Sequence, residues 1–86
     1  MEPSAPIEAE EFYAKLVDEL ATLGASVSDP KDELRLVPGF DSFAAASLLM
    51  FIEVLADVDV DEREVPTIDS MQDAYIYYLE IRERSE

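Results

Sequence analysis

Cysteine, histidine and tryptophan are all absent from this chain of 86 residues. Without cysteine the chain forms no disulfide and has no thiol nucleophile, and without histidine as well a zinc site of the usual kind is excluded. The lack of histidine also removes the side chain that most often acts as a general base near neutral pH. We therefore expect no enzymatic activity from the chain itself.

Basic residues are scarce. Six Lys and Arg stand against 21 Asp and Glu, which gives a net charge of −15. So few cations cannot neutralise a phosphate backbone, and the composition therefore excludes a nucleic-acid binder and, for the same reason, a protein of anionic membrane surfaces. A strong field of one sign favours a basic protein partner instead.

Long apolar runs are missing too, because none approaches the roughly 18 residues that a membrane span needs. The start, Met1-Glu2-Pro3, has neither the basic nor the apolar region of a signal peptide. Hydrophobic residues nevertheless make up 49% of the chain, enough for one thin core. We expect residues 1–86 to form a single soluble, cytoplasmic domain.

Apolar residues at steps of three and four predict a helix over Ile7–Leu23, after a flexible polar lead-in of residues 1–6. Asp41 is a favourable N-cap for a second helix over Ser42–Ala56. Ser70 and Asp73 match a capping box, which predicts a last helix from Ser70. Its apolar stripe is expected to contain Met71, Ala74, Tyr75, Tyr78 and Leu79.

Two segments connect these helices. The long loop Ala25–Asp41 is either functional or contains a small element, with Leu34, Leu36 and Val37 expected to tuck against the core. A short helical turn is predicted near Asp61–Val65, ended by Pro66. The predicted fold is all-α: a small monomeric four-helix bundle with three main helices, a short third helix, and the long loop between the first two.

Residues 57–64, which follow the second helix and are called the acidic link, contain Asp57, Asp59 and Asp61, the D-x-D-x-D with which an EF-hand loop opens. The sixth and twelfth positions of such a loop require Gly and a bidentate Glu, but here they are Glu62 and Ile68. The pattern therefore indicates a solvated acidic turn, and we expect no metal site.

Ser42 is the most informative residue of the chain. Pro38 and Gly39 shape a tight approach, Asp41 caps, and Ser42 enters the first helical turn. A hydroxyl beside the free N–H groups of a helix start is well placed to carry a phosphodiester, although an isolated Asp-Ser pair is more often only a cap. As a nucleophile of its own Ser42 has no histidine to activate it.

From Ile7 to Leu79 the chain resembles the acyl carrier protein family. Gly39-Phe40-Asp41-Ser42-Phe43 is similar to the family's G-x-D-S-L, and Ile52-Glu53 stands at its Leu-Glu. The remaining parts are Val58-Asp59-Val60 before the short third helix, then Thr67-Ile68 and Asp73-Ala74-Tyr75 at the last helix. The motifs occur in the family's order.

The resemblance implies that Ser42 receives 4′-phosphopantetheine from coenzyme A, and that the thiol of this arm holds acyl groups as thioesters. Gly39, Asp41 and Phe43 would be recognised by the phosphopantetheinyl transferase. The other implied partners are an acyl- or aminoacyl-loading ligase or transferase, and ketosynthase-type or other tailoring enzymes.

Three departures from the family refine this expectation. Phe43 replaces the usual Leu, and Pro38-Gly39-Phe40 differs from the G-G-[HD] of peptidyl carriers, which favours the acyl type. The second helix keeps only Glu53 where the family has several Glu, which points away from housekeeping fatty-acid synthesis. A freestanding carrier of polyketide or other specialised metabolism is favoured.

A helical wheel of the second helix predicts how partners dock. Ala45, Leu48, Leu49, Ile52 and Ala56 form the expected core stripe, and Phe43, Ala46, Ser47, Met50 and Val54 lie opposite. We expect Phe43, Met50 and Val54 to form the core of a docking surface, with a charged rim of Asp41, Glu53 and Asp57. In the alternative, the loop Ala25–Asp41 covers this second stripe.

Two other functions stay open. A freestanding aminoacyl or peptidyl carrier would share the same arm and the same serine. An acidic helical adaptor with an idle Ser42 would bind a basic partner and take no arm.

Overall fold

The computed structural model describes residues 5–60, 63 and 67–84. Within these residues the regular structure is entirely helical and confirms the predicted small helical bundle. Its three α-helices, each in contact with the other two, are α1 (Ala9–Thr22), α2 (Ser42–Ala56) and α3 (Met71–Arg84). The short helix predicted at Asp61–Val65 lies, apart from Arg63, outside the described residues.

None of the helices in these described ranges has the length and apolar character needed to cross a membrane.

The first helix begins two residues later than its periodicity predicted, because the backbone of Ile7 bonds to α3 instead. The Ile7 amide donates to the Tyr78 hydroxyl (3.2 Å), and the Tyr75 hydroxyl donates to the Ile7 carbonyl oxygen (2.9 Å). At the other end Gly24, with φ +88°, donates to the carbonyl oxygen of Ala21 (3.1 Å). This glycine closes α1 in the left-handed conformation typical of helix C-termini.

Phe12 is the centre of the core, with none of its surface exposed. Its ring lies 5.1–6.0 Å, between centroids, from the rings of Tyr13, Phe51, Tyr75 and Tyr78. Burial, and then the neighbouring Tyr75, raise the pKa of Tyr13 above its ordinary value. One aromatic cluster therefore joins all three helices.

The start of α3 confirms Ser70 as its N-cap. The Ser70 hydroxyl oxygen accepts a hydrogen bond from the Asp73 amide (3.2 Å), while the Asp73 carboxylate accepts one from the amide of Asp69 (3.2 Å). In a regular capping box that second bond would come from Ser70 itself. The predicted cap is right, and its reciprocal bond is shifted by one residue.

The buried face of α3 is wider than the predicted stripe. Tyr77 and Ile81 are buried although the pattern did not place them there, whereas Tyr75 and Leu79 are only half-buried. The physical reason is that α3 packs against α1 and α2 at once, so two neighbours cover more than one stripe. A single periodicity cannot encode this second contact.

The loop between α1 and α2 contains a small element, one of the two alternatives left open for it: a 3₁₀ turn over Leu34–Leu36. The Leu34 amide donates to the Asp69 carbonyl oxygen (2.7 Å), and the Gln72 amide donates to the Pro30 carbonyl oxygen (3.0 Å). These bonds fasten the loop to the start of α3. Leu34 is buried and Val37 packs against the core, but the prediction for Leu36 is wrong, since it is 70% exposed.

Candidate functional site

A tight turn over residues 37–40 precedes Ser42. The Phe40 amide donates to the Val37 carbonyl oxygen (3.1 Å), and Gly39 between them has φ +87°. Proline followed by a left-handed glycine is the sequence of a type II turn, which Pro38 and Gly39 supply. Val37 and Phe40 both pack against the core, so the turn is anchored on both sides.

Gly39 also lies directly against the backbone of Gly24, just past the end of α1. The start of α2 is therefore beside the end of α1, while Phe12 near the start of α1 contacts Phe51 late in α2. The two helices consequently run antiparallel. The position of Ser42 is fixed by contacts with the bundle as well as by its own helix.

Asp41 caps α2 as predicted. Its carboxylate accepts a hydrogen bond from the Ala44 amide (2.9 Å), and its carbonyl oxygen accepts one from the Ala45 amide (3.0 Å). Ser42 follows as the first residue of α2, with its side chain exposed. The hydroxyl therefore stands in solvent at the positive end of the helix dipole, where an attached phosphate is favoured.

The predicted docking residues lie together on one exposed face. Phe43 is 67% exposed, Met50 64% and Val54 76%. At 100° per residue these three side chains fall within about 40° of one another, along roughly 16 Å of helix. We call Phe43, Met50 and Val54 the exposed stripe; it runs away from Ser42 along α2.

The buried face of α2 is rotated from the predicted one, toward Ala44. Leu48, Ile52 and Ala56 are buried as expected. Ala44 is fully buried, although it was not predicted in the core, while Ala45 and Leu49 are only half-buried. α2 packs against both α1 and α3, and the wheel alone could not show from which direction these helices approach it.

The loop Ala25–Asp41 does not cover the exposed stripe, so that alternative is wrong. Its buried side chains, Ala25, Val27 and Leu34, belong to the core, and two of its backbone hydrogen bonds run to the start of α3. The buried apolar residues of the loop therefore pack into the core and leave the stripe uncovered.

Carboxylates stand around the stripe. Asp41 lies at its beginning, Glu53 is half-buried beside Val54, and Asp57 follows the end of α2. Asp57 has φ +56°, and the Val58 amide after it donates to the Glu53 carbonyl oxygen (3.2 Å). The left-handed Asp57 thus ends the helix and directs the chain into the acidic link.

The sequence patterns gave no indication of a groove between α1 and α2. It has a volume of about 610 Å³ and is lined by Lys15, Asp18, Glu19, Thr22, Ser47, Met50, Phe51, Val54 and Leu55. We call it the α1–α2 groove. The polar positions of α1 that face it were indistinguishable in sequence from an ordinary solvated helix face.

Among the described residues no group of three or more Asp or Glu side chains is arranged to hold a metal ion. Asp57 and Asp59 of the acidic link are described, and both are exposed. Asp61, which completes the D-x-D-x-D segment, and Glu62 after it lie outside the described residues.

No protein-family model matches the chain. It also has no significant match among curated proteins or among solved structures.

Proposed function

We propose that this chain is an acyl carrier protein. Ser42 receives a 4′-phosphopantetheine arm, whose terminal thiol carries acyl intermediates as thioesters. The observation that supports this best is the exposed Ser42 hydroxyl at the first position of α2, directly after the capping Asp41. The order of the carrier motifs along the chain adds to it.

The attachment chemistry needs little from the carrier itself. The Ser42 oxygen attacks the β-phosphorus of coenzyme A and forms a phosphoester bond, while the pyrophosphate bond to the α-phosphate breaks and 3′,5′-adenosine bisphosphate leaves. The proton of the hydroxyl goes to a base of the transferase, since the chain contains no histidine. The chain contributes an accessible hydroxyl, held still by the turn at Gly39 and the cap of Asp41, and a helix start that favours the phosphate.

The proposed function implies two kinds of partner: the enzyme that attaches the arm, and the enzymes that load or use it. The phosphopantetheinyl transferase would recognise Gly39, Asp41 and Phe43 around Ser42. An acyl- or aminoacyl-loading enzyme and ketosynthase-type or other tailoring enzymes would then use the loaded arm in the cytoplasm. With only Glu53 as an acidic residue within α2, we place the carrier in polyketide or other specialised metabolism; an aminoacyl or peptidyl carrier is the alternative.

The exposed stripe is the proposed docking core. Three large apolar side chains on one face at the surface are typical of a protein-binding site, and Met adapts to differently shaped partners. Asp41, Glu53 and Asp57 would form its rim and mainly speed the encounter with a basic enzyme.

The decisive experiment incubates the apo protein with coenzyme A and a promiscuous phosphopantetheinyl transferase, and measures intact mass. A carrier gains the mass of one arm. Ser42→Ala should stay folded and gain none, whereas the matched variant Ser47→Ala, on the same helix, should be modified like the wild type. No gain by the wild-type protein would favour the acidic adaptor, and modification of Ser42→Ala would refute Ser42 as the attachment site.

A further inference from the structure

The α1–α2 groove has an apolar floor and acidic margins. Met50, Val54 and Leu55 give it apolar surface from α2, and Asp18 and Glu19 line it from α1. Beyond Val54 the surface continues into a second hollow lined by Glu53, Val54, Asp57, Val58 and Asp59. Met50 and Val54 therefore present an apolar surface with carboxylates on both sides: Asp18 and Glu19 on the α1 side, and those of the second hollow on the other.

We infer that this groove receives a cationic amphipathic helix of a partner protein. An apolar anchor of that helix would lie against Met50 and Val54, and its Lys or Arg side chains would face Asp18 and Glu19. The inference rests on the proposed function for the identity of the partner as a carrier-dependent enzyme. It extends the footprint from α2 onto α1.

The shape of the groove suits a helix. Two antiparallel helices leave a groove between their ridges, into which a third helix can pack its own side chains. The groove is also asymmetric in charge, because its α1 wall has two carboxylates and Lys15, and its α2 wall is mainly apolar. A partner helix with one apolar and one basic face would match both walls.

Charge complementarity also decides against other occupants. A second copy of the chain would bring another net charge of −15 against the same acidic margins. Nucleic acid and anionic lipid would meet the same repulsion. A basic segment meets attraction at Asp18, Glu19, Glu53 and Asp57, and can bury the exposed Met50 and Val54 at the same time.

The test uses a synthetic helical peptide with leucines along one face and lysines along its flanks. A peptide of identical composition, with the leucines distributed around the helix, controls for charge alone. Backbone amide shifts measured by NMR in the full chain at physiological salt locate the site. We expect the amphipathic peptide to shift residues of both walls, 15–22 and 47–55, and the scrambled peptide to bind at least about tenfold more weakly.

Two matched double variants separate the groove from general attraction. Asp18→Asn/Glu19→Gln removes two charges from the α1 wall, and Glu80→Gln/Glu83→Gln removes two from exposed positions on α3 outside the groove. We expect the first to raise Kd about threefold to tenfold and the second less than about twofold. Circular dichroism should show equal helicity for both.

Equal losses from the two double variants, shifts scattered over the whole surface, or peptide-induced dimerisation in sedimentation would overturn the inference. Its failure is distinguishable from failure of the proposed function, which is read independently from the mass of Ser42-modified protein. A chain that gains the arm but binds the peptide outside the groove remains a carrier with another docking site.

Discussion

The two glycines of this chain, Gly24 and Gly39, are in direct backbone contact: a Cβ built on Gly39 would lie 2.2 Å from the Gly24 carbonyl oxygen. A real Cβ cannot approach an oxygen so closely, so only glycine fits at position 39. The contact ties the turn before Ser42 to the end of α1. It provides a packing reason for Gly39, in addition to its proposed recognition by the transferase.

This contact makes Gly39→Ala and Gly24→Ala a matched pair. Both glycines have positive φ, +87° and +88°, but a Cβ on Gly24 would meet nothing within 4 Å. Gly24→Ala should therefore cost about 1 kcal/mol of unfolding free energy for its backbone conformation, and Gly39→Ala at least about 2 kcal/mol because the backbone must also move. Urea denaturation measures both. Equal losses would show that the turn relaxes without strain.

Asp41 can be tested as a cap and as a charge separately. Asp41→Asn keeps an oxygen that accepts from the Ala44 amide, so it should remain within about 0.5 kcal/mol of the wild type, whereas Asp41→Ala should lose about 1 kcal/mol. We expect the transferase to recognise the charge of Asp41, so both variants should be modified more slowly than the wild type in the mass assay. Wild-type rates for Asp41→Asn would limit Asp41 to capping.

The exposed stripe predicts a separation of binding from stability. Met50→Ala and Val54→Ala should weaken binding to the cognate enzyme about fivefold or more, with the melting temperature nearly unchanged, because both side chains are exposed. The buried neighbours Leu48 and Ile52 are the controls, since their replacement by Ala should cost about 2–5 kcal/mol. A large drop in melting temperature for Met50→Ala, with affinity intact, would contradict the docking surface.

Asp57 offers a stabilising substitution. Its left-handed backbone, with φ +56°, suits glycine better than a residue with a Cβ, and Asp57 brings a negative charge to the negative end of the α2 dipole. Asp57→Gly should add about 0.5–1 kcal/mol to the unfolding free energy. Asp57→Asn removes only the charge and should gain less. An equal gain from both would assign the effect to electrostatics alone.

The net charge of −15 predicts a response to salt. Self-repulsion among so many carboxylates is relieved by screening, so the melting temperature should rise with NaCl concentration. It should rise more steeply with MgCl₂ at equal ionic strength, because a divalent ion can neutralise the acidic link that includes Asp57 and Asp59. A melting temperature that is constant over ionic strength would show that the charges are too dispersed to matter.

Much of the architecture could be predicted from local patterns. The bounds of α2 match the prediction at both ends, because Asp41 is a strong N-cap and Asp57 ends the helix in the left-handed conformation. The Ser70 cap was also predictable, since it uses a side chain three residues from its partner amide. The start of α1 was not, because the hydroxyls of Tyr75 and Tyr78 hold Ile7 from about 70 residues away.

The sequence by itself determined the net charge, which needs only the composition. It also determined the helical periods, the caps and the turn before Ser42, because each of these depends on residues within a few positions of one another. Only the tertiary structure decided which faces are buried. It rotated the core face of α2 toward Ala44, fastened the loop to α3 and left Met50 and Val54 exposed beside Asp18 and Glu19 of α1. Such contacts depend on how whole helices approach one another, and a one-dimensional pattern does not specify that direction.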